Sequence, residues 1–115
     1  MSESMNTGLL YEILEELTHE LNSDPAFKES VLKSKVVTAI RDVKLKRNYK
    51  ATSYTEKQIE EDLYDYYSVI KKVALYDYNQ KGAEFQSSHN ENSTSRTWIE
   101  RDKLFNDVPA FVKVL

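Results

Sequence analysis

The 115-residue chain contains no cysteine, only two glycines and only two prolines. Without cysteine it has neither a disulfide framework nor a thiolate metal site. Few Gly and Pro residues, together with 30% charged residues, favour a helical chain over a turn-rich β protein. The sequence also lacks the basic start and apolar segment of a signal peptide, and any apolar run of about 18 residues. We therefore expect a protein that is neither secreted nor membrane-spanning.

The length of the chain favours a single domain with a modest hydrophobic core. Residues 1–82 carry helical patterns and are predicted to form a helical bundle. Residues 83–115 lack such patterns, and we expect a polar loop, a short strand or turn and a C-terminal tail there.

The strongest helical pattern runs from Thr55 to Lys81. Thr55 can cap the first turn and Gln58 can reciprocate, as in a capping box. Gly82 follows, and glycine readily takes the left-handed conformation just past a helix end. Apolar residues recur in steps of three and four at Ile59, Leu63, Tyr66, Tyr67, Ile70, Val73 and Ala74. The sequence therefore predicts a mainly α protein, a small helical bundle around a long central helix at about residues 55–81.

Charge is distributed unevenly along the first half of the chain. Residues 1–24 contain six acids and no Lys or Arg, a net charge of −6. A first helix is predicted from Thr7 to Asn22, with an apolar stripe of Leu10, Ile13, Leu14, Leu17 and Leu21. Its acidic side is either a solvated face or a surface that meets a basic neighbour.

Residues 25–50 contain eight bases and two acids, a net charge of +6. A second helix is predicted to open at Asp24-Pro25, because Asp can cap a helix and Pro is favoured at its first position. Its apolar stripe consists of Leu32, Val36, Ala39, Ile40 and Val43. Its bases are Lys28, Lys33, Lys35, Arg41, Lys44, Lys46 and Arg47. They indicate either a nucleic-acid partner or neutralisation by the acidic first helix, and the negative net charge of the chain favours neutralisation.

The last third of the chain changes character. Residues 83–97 are nearly all small or polar, and a loop of this length is either disordered or functional. Thr94 to Trp98 fits a short strand, and Arg101 to Phe105 fits one helical turn. Residues 108–115 form an apolar segment with a proline, which we expect to be extended.

Enzymatic activity is not expected. His19 and His89 lack any spacing typical of metal ligands, and no Gly-rich phosphate loop is present. Glu61, Asp62 and Asp65 bring carboxylates together, which in principle suits Mg²⁺. An acidic helix start that complements the helix dipole is the favoured interpretation of these three residues. We therefore predict no catalytic residue, no metal and no cofactor.

An ordered series of short motifs occupies the C-terminal half. They are Tyr76-Asp77-Tyr78-Asn79, Gly82, Ser87-Ser88-His89-Asn90-Glu91-Asn92, Ser95-Arg96-Thr97-Trp98, Asp102-Lys103-Leu104-Phe105 and Val108-Pro109-Ala110-Phe111-Val112. Over about residues 66–115 this order resembles the head–tail connector, or adaptor, proteins of tailed bacteriophages and prophages. Ser93 stands where members of that family often have glycine, which favours a wider turn. The N-terminal half is similar to the family only in being helical.

The resemblance implies a structural assembly protein that joins copies of itself in a ring of about a dozen. Such a ring lies at the neck of the virion, beneath the portal of the filled capsid, and extends the DNA channel toward the tail. The implied partners are the portal protein, a tail-side neck or completion protein, and DNA that passes without sequence-specific contact. Synthesis in the bacterial cytoplasm and no contact with a membrane are also implied. The alternative is a small helical DNA-binding or regulatory protein that uses the basic helix at residues 25–50.

A ring subunit needs two different side surfaces, because a heterologous contact repeated around an axis closes a ring. The acidic first helix and the basic second helix are candidates for these surfaces. Tyrosine is favoured at interfaces, although Tyr66 and Tyr67 fit the core better. We expect the isolated chain to be mostly monomeric or weakly associated, and to form a ring on a portal. The predicted interface residues are Tyr49, Tyr54, Tyr64, Tyr76, Ser88, His89, Trp98, Phe105, Val108, Phe111, Val112 and Leu115.

Asp77 lies on the apolar line of the predicted central helix, about five helical turns after Ile59. A buried carboxylate needs a partner. We therefore predict that Asp77 is partly buried and accepts hydrogen bonds from Arg96 or from the backbone of residues 95–98. The alternative is that Asp77 lies in a frayed last turn and faces solvent.

Overall fold

Four α-helices form the body of the protein. The structure, a computed structural model, describes residues 7–80 and 100–112. The helices are α1 (Thr7–Leu21), α2 (Glu29–Arg47), α3 (Glu56–Tyr64) and α4 (Tyr67–Gln80), with a short 3₁₀ helix at Tyr49–Ala51. Residues 100–103 add one helical turn, and the described residues contain no strand. The prediction of a mainly α bundle is confirmed.

The segment predicted as one central helix is helical over nearly all of its described length, but it is divided into α3 and α4. The capping box is present: the Thr55 side chain accepts a hydrogen bond from the Gln58 N–H, and Gln58 Oε1 accepts one from the Thr55 N–H. At the division, the N–H groups of Asp65 and Tyr66 bond to carbonyls three residues back rather than four. This tighter turn is 3₁₀-like and separates α3 from α4. Gly82 lies outside the described residues.

The longest helix, α2, packs against α1, α3 and α4. Its predicted apolar stripe is confirmed, since Leu32, Val36, Ala39, Ile40 and Val43 are all buried. From α4, the core receives Ile70, Val73, Ala74 and Tyr78. The core of the bundle therefore lies mainly between α2 and α4, and α1 packs against both helices and contributes further core residues.

Helix α1 ends one residue before the predicted Asn22, and its core face is centred on Leu9, Ile13 and Leu17. Leu9 is fully buried but was absent from the predicted stripe, whereas Leu10 and Leu21 are only half-buried. The wide apolar face admits either set of leucines, and packing against α2 and α4 decides between them.

The predicted start of the second helix at Asp24-Pro25 is wrong, because α2 begins at Glu29. The Asp24 carboxylate accepts a hydrogen bond from the Ala26 N–H at 2.9 Å, and its carbonyl accepts one from the Phe27 N–H at 3.0 Å. These bonds close a local turn instead of capping a helix. Phe27 then packs against Tyr78 of α4, with ring centroids 6.1 Å apart, which anchors the connection.

Residues 100–112 lie across the bundle and are called the C-terminal strap. Arg101 to Phe105 begins with the predicted helical turn, and the strap then continues without regular structure. Phe105 and Val108 are buried in the core shared with α2 and α4. The predicted loop at 83–97 and strand at 94–98 lie outside the described residues.

Candidate functional site: the C-terminal strap and two arginines

The start of the strap is held by Arg101. Its Nε donates to Asp77 Oδ1 at 2.7 Å and its Nη2 to Asp77 Oδ2 at 2.8 Å. The same Nη2 donates to Asp42 Oδ2 at 2.6 Å. Asp42 belongs to α2 and Asp77 to α4. The Arg101 guanidinium therefore joins the strap to both of these helices.

The Arg101 contacts are largely shielded from water. The side chains of Arg101 and Asp77 are 16% and 14% exposed. The hydrogen bond with Asp77 and the one with Asp42 raise the pKa of Arg101, outweighing the opposing effect of burial. Bidentate contacts between a guanidinium and a carboxylate combine strength with directional specificity. Arg101 therefore fixes the position of the strap along α4.

A second arginine, Arg47, lies at the C-terminal end of α2 and is only 7% exposed. Its Nε and Nη2 donate to the two carboxylate oxygens of Asp62 on α3, at 2.8 and 3.0 Å. Its Nη1 donates to the carbonyl of Pro109 in the strap at 2.6 Å. Burial lowers the pKa of Arg47, but the hydrogen bond and attraction to Asp62 outweigh it and raise the pKa overall. Arg47 thus joins α2, α3 and the far end of the strap.

Tyr49 completes this second site. Its hydroxyl donates to Asp62 Oδ2 at 2.6 Å, so that the carboxylate receives three hydrogen bonds. Burial, followed by the hydrogen bond to Asp62, raises the pKa of Tyr49. Asp62 was considered above as a metal ligand, but its oxygens are already occupied by Arg47 and Tyr49.

Aromatic rings surround the Arg47 guanidinium. Its central carbon lies 4.0 Å from the ring centroid of Phe111 and 4.9 Å from that of Tyr66. The Phe111 ring in turn packs edge-on against Tyr54 at 5.2 Å. Such cation–π contacts are strongest where the cation is removed from water. The end of the strap is therefore held by the contact of the Phe111 ring with the Arg47 guanidinium.

The backbone at the end of α2 also receives the strap. The Phe111 N–H donates to the Arg47 carbonyl at 2.8 Å, which satisfies a group that the helix end leaves free. Asn48 adopts the left-handed conformation at φ 58°, and its Nδ2 donates to the Phe111 carbonyl at 3.1 Å. Asn is one of the few residues other than glycine that tolerate this conformation readily.

The expectation that Asp77 is paired and largely shielded agrees with this geometry, but its observed partner is Arg101. Arg96, which was predicted to pair with Asp77, lies outside the described residues, and that contact stays a prediction. Arg101 was missed because it was assigned only to a helical turn. Asp42 was a usable signal, because it is an acid inside the basic helix and indicates an arginine or lysine nearby.

The predicted interface residues occupy different environments. Phe105 and Val108 are buried within their own chain in this conformation, and their assignment to an interface stays a prediction. Tyr49 and Phe111 are half-buried around Arg47, and Tyr76 is half-buried with its hydroxyl donating to Glu100. Tyr54, Tyr64 and Val112 are exposed, at 39%, 36% and 80%. Ser88, His89, Trp98 and Leu115 lie outside the described residues.

The acidic and basic helices are neutralised differently from the prediction. Glu16 and Glu20 of α1 both pair with Lys71 of α4, at 2.5 and 2.7 Å, rather than with a base of α2. On α2, Arg47 pairs with Asp62 and Lys46 pairs with Asp102 of the strap at 3.3 Å. Two bases at the end of α2 thus hold α3 and the strap.

Within residues 7–80 and 100–112, no group of three or more His, Cys, Asp or Glu side chains is arranged to hold a metal ion. In the same part of the chain, no helix is both long enough and apolar enough to cross a bilayer. Comparison with protein-family models, with curated proteins and with solved structures finds no match to this chain.

Proposed function

We propose that this chain is a structural assembly protein of the head–tail connector class, forming a ring beneath the portal of a tailed bacteriophage or prophage. The observation that carries the proposal is the strap. It belongs to the part of the sequence that resembles connector proteins, and it is attached to the bundle by Arg47 and Arg101 together with its buried Phe105 and Val108. Pro109, Ala110 and Val112 of the same strap are exposed, so an anchored strap still offers a surface to a neighbouring protein.

Two further features support association into a ring. Glu12 and Glu15 are exposed on α1, whereas Arg41 is exposed on α2, so that opposite charges face solvent on different helices. Large apolar side chains are exposed beside them, with Tyr11 at 48% and Leu45 at 70%. Such surfaces suit a heterologous contact, which closes a ring when repeated around an axis.

The proposed partners follow from this position in the virion. The chain would bind further copies of itself and the portal protein on one side, and a neck or completion protein on the tail side. DNA would pass through the channel without sequence-specific contact. The site of action would be the virion neck, after synthesis in the host cytoplasm.

A DNA-binding regulator is the second candidate, and the structure favours it less. DNA readers usually present a basic helix to the groove. Here α2 packs against α1, α3 and α4, and several of its bases are engaged. Arg47 is buried against Asp62, Lys46 pairs with Asp102, and Lys33 donates to the Tyr11 hydroxyl. Binding of short duplex DNA with a steep salt dependence would support this candidate instead.

Native mass spectrometry of the pure chain, with and without the portal protein that a flanking gene would encode under this proposal, tests it. We expect monomers or weakly associated species alone, and a closed set of copies bound to the portal ring. The matched control is the same mixture with an unrelated ring protein, to which no copies should bind. A stable dimer that ignores the portal would contradict the proposal.

A further inference from the structure

The strap binds its own bundle through contacts that another copy of the bundle would offer equally well. Arg101 binds Asp42 and Asp77, and the far end is bound by Arg47 and Asn48. These partners belong to α2 and α4 or directly follow α2. None of the contacts requires that strap and bundle belong to the same molecule.

The connection between α4 and the strap is far longer than the gap that it bridges. The Tyr76 hydroxyl lies 3.3 Å from Glu100 Oε2, and Asp77 is bonded to Arg101, so the strap begins beside the last turn of α4. Residues 81–99 connect these two points. A fully extended chain of that length spans roughly 60 Å, whereas the longest dimension of the molecule is 48 Å. The strap can therefore reach the bundle of an adjacent copy.

We propose that neighbouring copies exchange straps, so that the strap of each chain binds the α2 and α4 helices of the next. This inference rests on the proposed ring and describes how its subunits are joined. Because each copy gives one strap and receives one, the contact is heterologous and closes a ring.

The balance between the closed and exchanged forms depends on concentration. Both forms make the same strap contacts, so they differ mainly in the entropy of the connection and in any contacts between bundles. For a connection of this number of residues, we take the effective concentration of a chain's own strap as on the order of millimolar. Dilute chains are therefore closed monomers, and copies held side by side on a portal exchange their straps.

The absence of cysteine from the chain allows a direct test by crosslinking. Lys46 of α2 and Asp102 of the strap form an exposed ion pair, with side chains 48% and 72% exposed, so either can be replaced at little cost in stability. Two single variants, Lys46→Cys and Asp102→Cys, carry different affinity tags. The two variants are mixed at micromolar concentration and, separately, at about 1 mM, and are incubated so that straps can exchange. A short bis-maleimide reagent is then added. The incubation is long enough when a longer one no longer changes the yield of crosslinked product.

A chain concentration of about 1 mM equals the effective concentration of a chain's own strap. At that concentration we expect crosslinks between the two tagged chains at a yield on the order of half of the maximum. In dilute solution these should be nearly absent, whereas a variant carrying both cysteines should then crosslink within one chain. The matched control pairs Glu15→Cys, on the exposed face of α1, with Asp102→Cys, and should give no crosslink at either concentration.

Failure of strap exchange is distinguishable from failure of the proposed function. Light scattering on the same samples reports association independently of the crosslink. Oligomers without crosslinks between Lys46→Cys and Asp102→Cys would overturn the exchange while leaving a ring possible. Absence of both oligomers and interchain crosslinks at about 1 mM would overturn it as well. Interchain crosslinks in a chain that does not bind the portal would support exchange and contradict the connector proposal.

Discussion

Arg101 and Asp77 form a two-bond ion pair in which Nε lies 2.7 Å from Oδ1 and Nη2 lies 2.8 Å from Oδ2. The pair joins the first turn of the strap to the last turns of α4, and Asp42 of α2 shares the same guanidinium at 2.6 Å. One side chain of the strap thus contacts both α2 and α4.

Replacing Asp77 with alanine should destabilise the fold by about 3 kcal/mol, because it leaves Arg101 largely buried with only one carboxylate. Urea unfolding followed by circular dichroism measures the loss. The control is Asp102→Ala, which removes the exposed partner of Lys46 and should cost less than about 1 kcal/mol. Equal stability of Asp77→Ala and the unmodified chain would show that the pair contributes nothing.

Replacing Arg47 with lysine should destabilise the protein by about 2 kcal/mol although the charge is kept. Lysine cannot form the fork that meets both oxygens of Asp62 and also reach the Pro109 carbonyl. The matched control is Arg41→Lys on the exposed side of the same helix, which should change stability by no more than about 0.5 kcal/mol. A similar effect of both substitutions on the midpoint of unfolding would contradict the role assigned to Arg47.

The Tyr67 hydroxyl should have a pKa well above that of a tyrosine exposed to water. Burial, followed by the hydrogen bond to Glu16 at 2.5 Å, raises its pKa to about 12. Because the folded state holds this proton more tightly than the unfolded chain, its contribution to stability is complete below a pH of about 10 and is lost as the pH rises toward about 12. Nuclear magnetic resonance of the labelled tyrosine ring measures the titration. Glu16→Gln should lower the midpoint, and a midpoint near 10 in the unmodified chain would refute the assignment.

Removing residues 108–115 should leave the helix content almost unchanged but lower the stability and impair assembly. The truncation exposes the core position of Val108, at a cost of about 1.5–2 kcal/mol, and deprives Arg47 of the Pro109 carbonyl. Circular dichroism and binding to the portal report the two effects separately. The control is Val112→Ser, which alters a side chain that is 80% exposed and should leave stability unchanged. Intact assembly by the truncated chain would show that the tail has been assigned the wrong role.

Much of the fold could be predicted because its signals are local. The capping box at Thr55 and the stripe from Leu32 to Val43 depend on residues within a few helical turns, and both are present. The division between α3 and α4 was missed because a single tighter turn leaves the apolar spacing nearly intact. Asp24 was misassigned because the same side chain can cap a helix or close a turn, and only the packing of Phe27 decides between them.

Of the two arginine sites that hold the strap, the sequence predicted only part of the one at Asp77. Helix geometry indicated that Asp77 needs a partner, but the identity of the partner depends on how the strap returns to the bundle, which sequence spacing does not determine. Arg47 was assigned only to the bases of the second helix, with no partner of its own. Its burial follows from the meeting of α3 with the end of α2, where Asp62 and Tyr49 complete its contacts.

The most direct test of the account is electron microscopy of the chain mixed with the portal protein that a flanking gene would encode if the chain belongs to a phage or prophage. The account predicts a ring of additional density stacked coaxially on the portal, in which each subunit contains the four-helix bundle and a strap seated against α2 and α4. Portal rings that remain bare at saturating concentrations of a correctly folded chain would contradict it.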